Sequence, residues 1–393
     1  MAKTIYMDHA ATTPVDPSVA QKMLPYFTEH FGNPSSVHHV GRDNRAALDN
    51  ARAQVAKALG AAADEIYFTS GGSEGDNWAL KGTMLRAYNK GKKLITTQIE
   101  HHAILHTGAW LEKQGFEVIY LPVDEYGLVS PEKLEEVIGD DTALVSVMFA
   151  NNEIGTIEPI RELCEIAHRH GALFHTDAVQ AIGAVAIDVK DLDVDMLSLS
   201  AHKFYGPKGV GAMYIKKGVV LENLIEGGSQ ERGKRAGTEN IPGIVGLGEA
   251  ITLATENLEK NAAYLTALRD DMIAQILEKI PYTRLNGHPQ KRLPANVNVS
   301  IQYIEGESML ILLDQNGICA SSGSACTSGS LDPSHVLLAI GLPHEVAHGS
   351  LRFSLGIHNT KEDVDTAVST LVSIVERLRA MSPLYNEVKN QAK

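Results

Sequence analysis

Between about residues 65 and 215 the sequence repeats one pattern, a short apolar run followed by a turn and a helical stretch, and this pattern limits the fold more than any other feature. The runs are EIYFTS, KLITTQIE, EVIYLPV, ALVSVMFAN, ALFHTDA and DMLSLS, with helical stretches such as IRELCEIAHRHG among them. Alternation of this kind predicts a mostly parallel sheet wrapped by helices, because parallel neighbours need a crossover and the crossover covers the sheet. After residue 245 the pattern changes. A long helical stretch, GIVGLGEAITLATENLEKNAAYLTALRDDMIAQILEKI, leads into a shorter set, ANVNVSIQ, GESMLILLDQNG and GSLRFSLG, and then a last helix. In that helix Thr360 and Asp363 make a capping-box-like start, and Val364, Val368, Leu371, Val375 and Leu378 recur at helical spacing. The expected division is an N-terminal segment at 1–15, a large α/β domain at 16–255 and a smaller α+β C-terminal domain at 256–393, a length of 393 residues being too great for one simple core.

In an open α/β sheet the strand ends border the ligand crevice, so polar residues there are the ones to weigh. Lys203, in LSLSAHKFYGPKG, stands where a buried run gives way to a turn; position alone allows a nucleophilic amine, a phosphate contact or a plain surface cation. YFTSGGSEGDN empties a strand into a Gly-rich turn with a helix behind it, where Gly72 and Ser73 can offer backbone N–H groups to a phosphate. The pattern is neither GxGxxG nor GxxxxGK[ST], so a dinucleotide or nucleoside triphosphate lacks support. Asp177 in ALFHTDAVQ is a helix N-cap or the partner of a protonated pyridine nitrogen. Together the three weak signals favour pyridoxal phosphate. His101 in IEHHAILHT, nearest its strand end, is the residue to stack on an aromatic cofactor and move protons, whereas His102 and His106 read as surface histidines.

HEVAH at 344–348 matches a zinc-hydrolase motif, but Pro343 and Gly349 leave room for little more than a turn of helix, and Leu351 and Ser354 stand where a further glycine and histidine are needed. Of three cysteines, none falls in a CxxC pair, so neither a disulfide framework nor a structural zinc is indicated. Cys164 fits a small core position. Cys326, inside SSGSACTSGS, reads as a lone thiol on a mobile loop, better explained as a nucleophile than as an accident. Arg352, alternating with apolar residues in SLRFSLG, points to a bidentate carboxylate partner, structural or substrate. A formal charge of −13 argues against nucleic acid or an anionic membrane surface. No apolar run is long enough for a membrane span and no secretory h-region opens the chain, so the expected location is cytoplasmic.

These residues resemble the cysteine desulfurases of iron–sulfur cluster assembly, within the class V aminotransferase group of pyridoxal-phosphate enzymes. The resemblance runs from YMDHAATTP and FGNPSSVH through SGGSE, EHHAIL, NNEIGT, HTDAVQ, SAHKFYGPKG and RAGTEN to SSGSACTSGS and LRFSLG, the last cysteine lying in what resembles the extended catalytic loop subgroup. It implies a fold type I enzyme, with Lys203 as the Schiff-base lysine, Asp177 on the pyridine nitrogen, and Asn152 and Gln180 on the ring hydroxyl. By the same resemblance Gly72, Ser73, Ser200 and His202 hold the phosphate, with Thr238 reaching it from the second subunit of a homodimer, and His101 stacks on the ring. Arg352 would bind the carboxylate of L-cysteine. Cys326 would accept its sulfur as a persulfide, pass it to an iron–sulfur scaffold or another acceptor, and at most transiently contact a cluster, no resident metal being implied. Alanine is the other product. A selenocysteine lyase, or another lyase or transaminase on the same fold, is the alternative.

Overall fold

The computed structural model describes residues 4–86, 91–322 and 333–391, with side chains through 387. Twelve strands occur among them: β1 Ile5–Tyr6, β2 Ile66–Thr69, β3 Lys93–Thr97, β4 Glu117–Leu121, β5 Thr142–Ser146, β6 Leu173–Asp177, β7 Met196–Ser200, β8 Gly211–Ile215, β9 Thr283–Leu285, β10 Asn296–Ile301, β11 Ile318–Cys319 and β12 Ser350–Ser354. Seven of them form the main sheet in the order β2-β8-β7-β6-β5-β3-β4. Only β8 runs against its neighbours, so the predicted mostly parallel sheet is what the chain builds. Because β2 shares the direction of β7, the carboxyl ends of β2, β3, β5, β6 and β7 all open on the same edge.

Helices cover both faces, and the strands are buried on both, which is why the runs read as continuously apolar. The serines of β7 are the exception that matters. Ser198 is 0 % and Ser200 4 % exposed, so MLSLS carries hydroxyls into the interior rather than to solvent.

A second core gathers the C-terminal elements. Antiparallel β12-β10-β9 packs with the Leu258–Lys279 and Lys361–Met381 helices around Val297, Val299, Leu351, Phe353, Leu371 and their neighbours. The N-terminus joins this core, since β1 pairs in parallel with β11 and places Ile5 and Met7 in it. Thr360 and Asp363 form the expected capping box. One expectation changes: the single long helical stretch is two helices, Ile241–Glu256 and Leu258–Lys279. Asn257 separates them, its backbone and side-chain N–H groups both turning back to the Leu253 carbonyl, and a short amide that competes for backbone groups ends a helix in this way. Among the described residues no helix is long and apolar enough to cross a membrane.

Candidate active site

The strand ends surround a cavity of about 450 Å³ lined by Gly72, Ser73, His101, Asn152, Asp177, Gln180, Ser200, His202, Lys203 and Arg352. Ten of the residues singled out from sequence therefore meet in one place, brought there by β2, β3, β5, β6, β7 and, from the second core, β12. Two do not. Thr238 is exposed and does not line the cavity. Cys326 lies outside the described residues.

The helix behind the Gly-rich turn starts at Gly72 itself and runs to Arg86. Gly72 and Ser73 are thus its first turn, where N–H groups have no carbonyl four residues back. A Cβ on Gly72 would sit 2.5 Å from Val179 Cγ2, so only glycine lets the helix end approach the loop after β6 so closely.

Asp177 closes the floor. Its Oδ1 accepts from the Val179 N–H at 2.9 Å, an N-cap-like bond that leaves the rest of the carboxyl facing the cavity. Burial pushes this carboxyl up to about 6, against the opposing pull of the Val179 N–H and the Lys203 ammonium. A buried acid of this kind has a use for a cationic or protonated partner.

Lys203 follows β7 in the short turn Ala201–Lys203. Its Nζ donates to the carbonyls of Ala10 at 2.6 Å and Ala11 at 2.8 Å. Gln180 Nε2 donates to the same Ala10 carbonyl at 3.0 Å. The N-terminal segment thereby forms a wall of the cavity, further fixed where His202 Nδ1 meets Thr12 Oγ1 at 3.1 Å. Burial, then Lys203 and Lys208, lower the His202 imidazole to about 4, so it is neutral near pH 7.

His101 caps the His102–Lys113 helix, its Nδ1 accepting from the Ala103 N–H at 3.1 Å. That bond puts the ring proton on Nε2 in the neutral form. Burial first, and Lys203 second, hold the imidazole below its ordinary range, which keeps that form at neutral pH. Arg352, 2 % exposed on β12, donates from Nη1 to the Asn152 carbonyl at 2.9 Å and pairs through Nη2 with Asp8 Oδ1 at 2.9 Å. The carboxylate partner read from the sequence is therefore present in the chain itself, while the guanidinium still lines the cavity.

Several wall residues were not anticipated: Asp76, Met148, Ala150, Ala10 and Ala11 line the cavity, and Asp8 and Glu100 stand just behind it. Asp76 follows Gly72 by one helical turn and shares its face, which the sequence hides because GSEGDN reads as a turn. The alanines contribute carbonyls, which no side-chain pattern reveals. HEVAH is a helix of five residues, His344–His348, away from the cavity. Cys164 is fully buried, with burial pushing its thiol up, as expected of a core residue.

Residues 5–367 match the model of the class-V aminotransferase family. The chain is 61 % identical over 382 residues to a protein of Methanosarcina thermophila named cysteine desulfurase IscS, covering 97 % of this chain and 94 % of that one. It is 59 % identical over 394 residues to a protein of the same name from Clostridium botulinum, covering 100 % and 99 %. Among solved structures, one titled NifS-like protein superposes with a TM-score of 0.91 at 40 % identity, over 96 % of this chain and 100 % of the other.

Proposed function

The chain belongs to the class-V aminotransferase family and is a pyridoxal-phosphate-dependent cysteine desulfurase, and from that premise we propose that the strand-end cavity holds cofactor and L-cysteine and that the sulfur released there feeds iron–sulfur cluster assembly. The observation that carries this reading is the convergence of Lys203, Asp177 and the Gly72 helix end on one cavity.

The residues present fit the cofactor. Gly72 and Ser73 offer first-turn N–H groups, and Ser200 and His202 flank them, a set of donors suited to a phosphate. Asp177, an acid raised by burial, would take the ring nitrogen, and Asn152 and Gln180 the ring hydroxyl. Lys203 would hold the group covalently through Nζ. Bound there, pyridoxal phosphate supplies an electron sink that allows bonds at Cα and Cβ of cysteine to break.

Arg352 grips the cysteine carboxylate and orients the amino acid, with Asp8 and the Asn152 carbonyl fixing the guanidinium. With its amine free, Lys203 Nζ would be the base that takes the Cα proton of the bound cysteine. His101, carrying its proton on Nε2, is placed to exchange a proton with the thiol. In the sulfur transfer the Cβ–S bond of cysteine breaks, an S–S bond forms on Cys326 Sγ, and alanine leaves.

The exposed Thr238, together with the exposed apolar side chains Leu24, Phe27, Phe31 and Val37, supports a homodimer in which Thr238 reaches the phosphate of the other subunit. Sulfur then passes from Cys326 to a scaffold or other acceptor. The two-module division at 255/256 is proposed with it, supported by the helix break at Asn257 and the separate C-terminal core.

The test is to add L-cysteine to the loaded protein and assay alanine and sulfide together, with mass spectrometry of the resting product. One added sulfur is expected on Cys326 and none on Cys164. Borohydride labelling that mapped to a lysine other than Lys203, or alanine formed without sulfur on Cys326, would overturn the assignment.

A further inference from the structure

The Gly72–Arg86 helix lies hard against β7: a Cβ on Gly75 would stand 2.8 Å from Ser198 Oγ. The next residue, Asp76, is consequently 1 % exposed and faces a polar row that crosses β5, β6 and β7 under the helix. His175 is the middle of that row. Its Nδ1 meets Ser146 Oγ at 2.9 Å, its Nε2 meets Ser198 Oγ at 2.9 Å, and the same Nε2 lies 3.8 Å from Asp76 Oδ1. Two residues along β6, on the same face, is Asp177.

Among the described residues the charged and titratable groups around Asp76 can be placed. From β6 come His175 and Asp177, and from the turn after β3 come Glu100 and His101. Past the end of β7 stand His202 and Lys203, and from β12 comes Arg352. Burial holds His175 down to about 3, so the basic side chain 3.8 Å from Asp76 is a neutral imidazole and no counter-ion. Lys203 acts on Asp177, and the Val179 N–H bonds it as well. Asp76 has neither a cation nor a backbone donor: its Oδ1 has no hydrogen-bond partner among the described residues, and only the Ser198 hydroxyl pulls its carboxyl down. Two buried carboxyls that feel one another cannot both ionise, and the one with a cation and a backbone donor ionises first.

We propose that Asp76 and Asp177 hold a single proton between them, carried by Asp76, so that Asp76 is a positioning residue that confines the negative charge at the pocket floor to Asp177. Burial, and then the Asp177 charge, raise the Asp76 carboxyl well above the carboxylate range, in keeping with this geometry. The sharing concerns this chain alone. Its consequence, that a protonated ring nitrogen meets one anion and not two, rests on the reading of the cavity given above.

Infrared difference spectroscopy of the cofactor-free protein tests the sharing directly. Glu100 and Glu158, also raised by burial, give acid bands common to all three proteins, so the readout is the difference between spectra: at pH 7 the wild type is expected to show one protonated buried carboxyl more than Asp76→Asn and no more than Asp177→Asn. With the like charge gone, the ionisation midpoint of Asp76 in Asp177→Asn should fall by about one pH unit or more. Loss of the band in Asp177→Asn but not in Asp76→Asn, or an unmoved midpoint, would overturn the proposal. Should Asp76→Asn not fold, Ser198→Ala serves: it should keep the acid band and move its frequency, whereas an unchanged band would count against Asp76 as the carrier. A second readout uses pyridoxal phosphate labelled with ¹⁵N in the ring. A protonated nitrogen in Asp76→Asn and an unprotonated one in Asp177→Asn are expected. An unprotonated nitrogen in all three proteins, with the infrared result intact, would overturn the cavity reading and leave the shared proton standing.

Discussion

The floor and the N-terminal wall of this cavity are built by opposite means. The floor consists of carboxyl side chains, Asp177 at the end of β6, Glu100 in the turn after β3 and Asp76 on the Gly72–Arg86 helix, each 6 % exposed or less and each raised as an acid by burial. The wall is the segment Asp8–Thr13 laid over β12 and the turn after β7, held by one ion pair to Arg352 and by hydrogen bonds to Ser354, His202 and Lys203. In the floor the dominant energy is the desolvation of charge, which pH controls. In the wall it is the pairing of groups already matched to one another, one ion pair and a set of hydrogen bonds to backbone and hydroxyl partners.

Lys203 belongs to both regions, and its replacement should have the largest effect. On the proposed reading, Lys203→Ala removes both the covalent hold and the base, so alanine formation should fall by roughly 10²–10⁴-fold, the range for a positioned general base. Turnover within tenfold of the wild type would mean that the wall carbonyls, and not the cofactor, are what the amine serves.

Glu100→Gln isolates the floor. Burial raises Glu100 to about 8 from 4.5, against the Met148 N–H and Thr97 hydroxyl, and its Oε2 has no hydrogen-bond partner among the described residues. Because the folded state keeps a proton that the unfolded chain gives up, this group's contribution is complete below 4.5 and is lost as pH rises toward 8. The cofactor-free wild type should therefore lose stability over that window. The glutamine variant should lose less, by on the order of a few kcal/mol across the window, since one pKa unit corresponds to about 1.4 kcal/mol. Parallel urea midpoints for the two proteins at pH 5 and pH 8 would show that Glu100 is ionised throughout.

Arg352→Lys joins floor and wall from the β12 side. The ammonium cannot serve Asp8, the Asn152 carbonyl and a substrate carboxylate together. Loss of one charge-assisted hydrogen bond, about 1.5–3 kcal/mol, predicts a KM for cysteine raised roughly tenfold to a hundredfold with a smaller change in kcat. An unchanged KM with a lowered melting temperature would make Asp8 the only carboxylate that Arg352 serves.

The same division explains what could be read from the sequence. A strand that ends on a lysine, an aspartate or a histidine breaks an apolar run, so Lys203, Asp177 and His101 stood out, and the alternation of runs and helical stretches was enough for the mostly parallel sheet. Asp76 was harder to see because GSEGDN looks like a turn, and only knowing that the helix begins at Gly72 puts Asp76 on the buried face. Glu100 follows KLITTQI as an ordinary polar stop. The wall was nearly illegible: Ala10 and Ala11 act through carbonyls, and Asp8 meets Arg352 across 344 residues, a pairing that no local pattern encodes. The break at Asn257 was missed for a related reason, since apolar spacing continues across it and only the amide's bond to Leu253 interrupts the helix.

Thr13→Val should give the smallest effect and the sharpest contrast. Thr13 is 2 % exposed, and its Oγ1 donates to the His202 carbonyl at 2.9 Å while accepting from the Tyr205 N–H at 2.9 Å. Valine keeps the shape and removes the hydroxyl. The His202 carbonyl retains the Thr13 N–H at 3.0 Å, but the Tyr205 N–H is left without its acceptor. Tyr205 has a φ of 65°, a left-handed conformation that a bulky residue adopts only when its surroundings enforce it, so that bond also restrains the turn that follows Lys203. One orphaned buried donor costs about 1–3 kcal/mol. No group that titrates between about pH 5 and 8 takes part, because His202 is held neutral by burial, so the loss should be the same at both ends of that range. Urea midpoints of Thr13→Val and wild type that run parallel against pH, beside a Glu100→Gln pair that converges or crosses, would establish that the wall is held by pairing and the floor by desolvation. A Thr13→Val deficit that grew with pH would instead tie the wall to the ionisation of the floor.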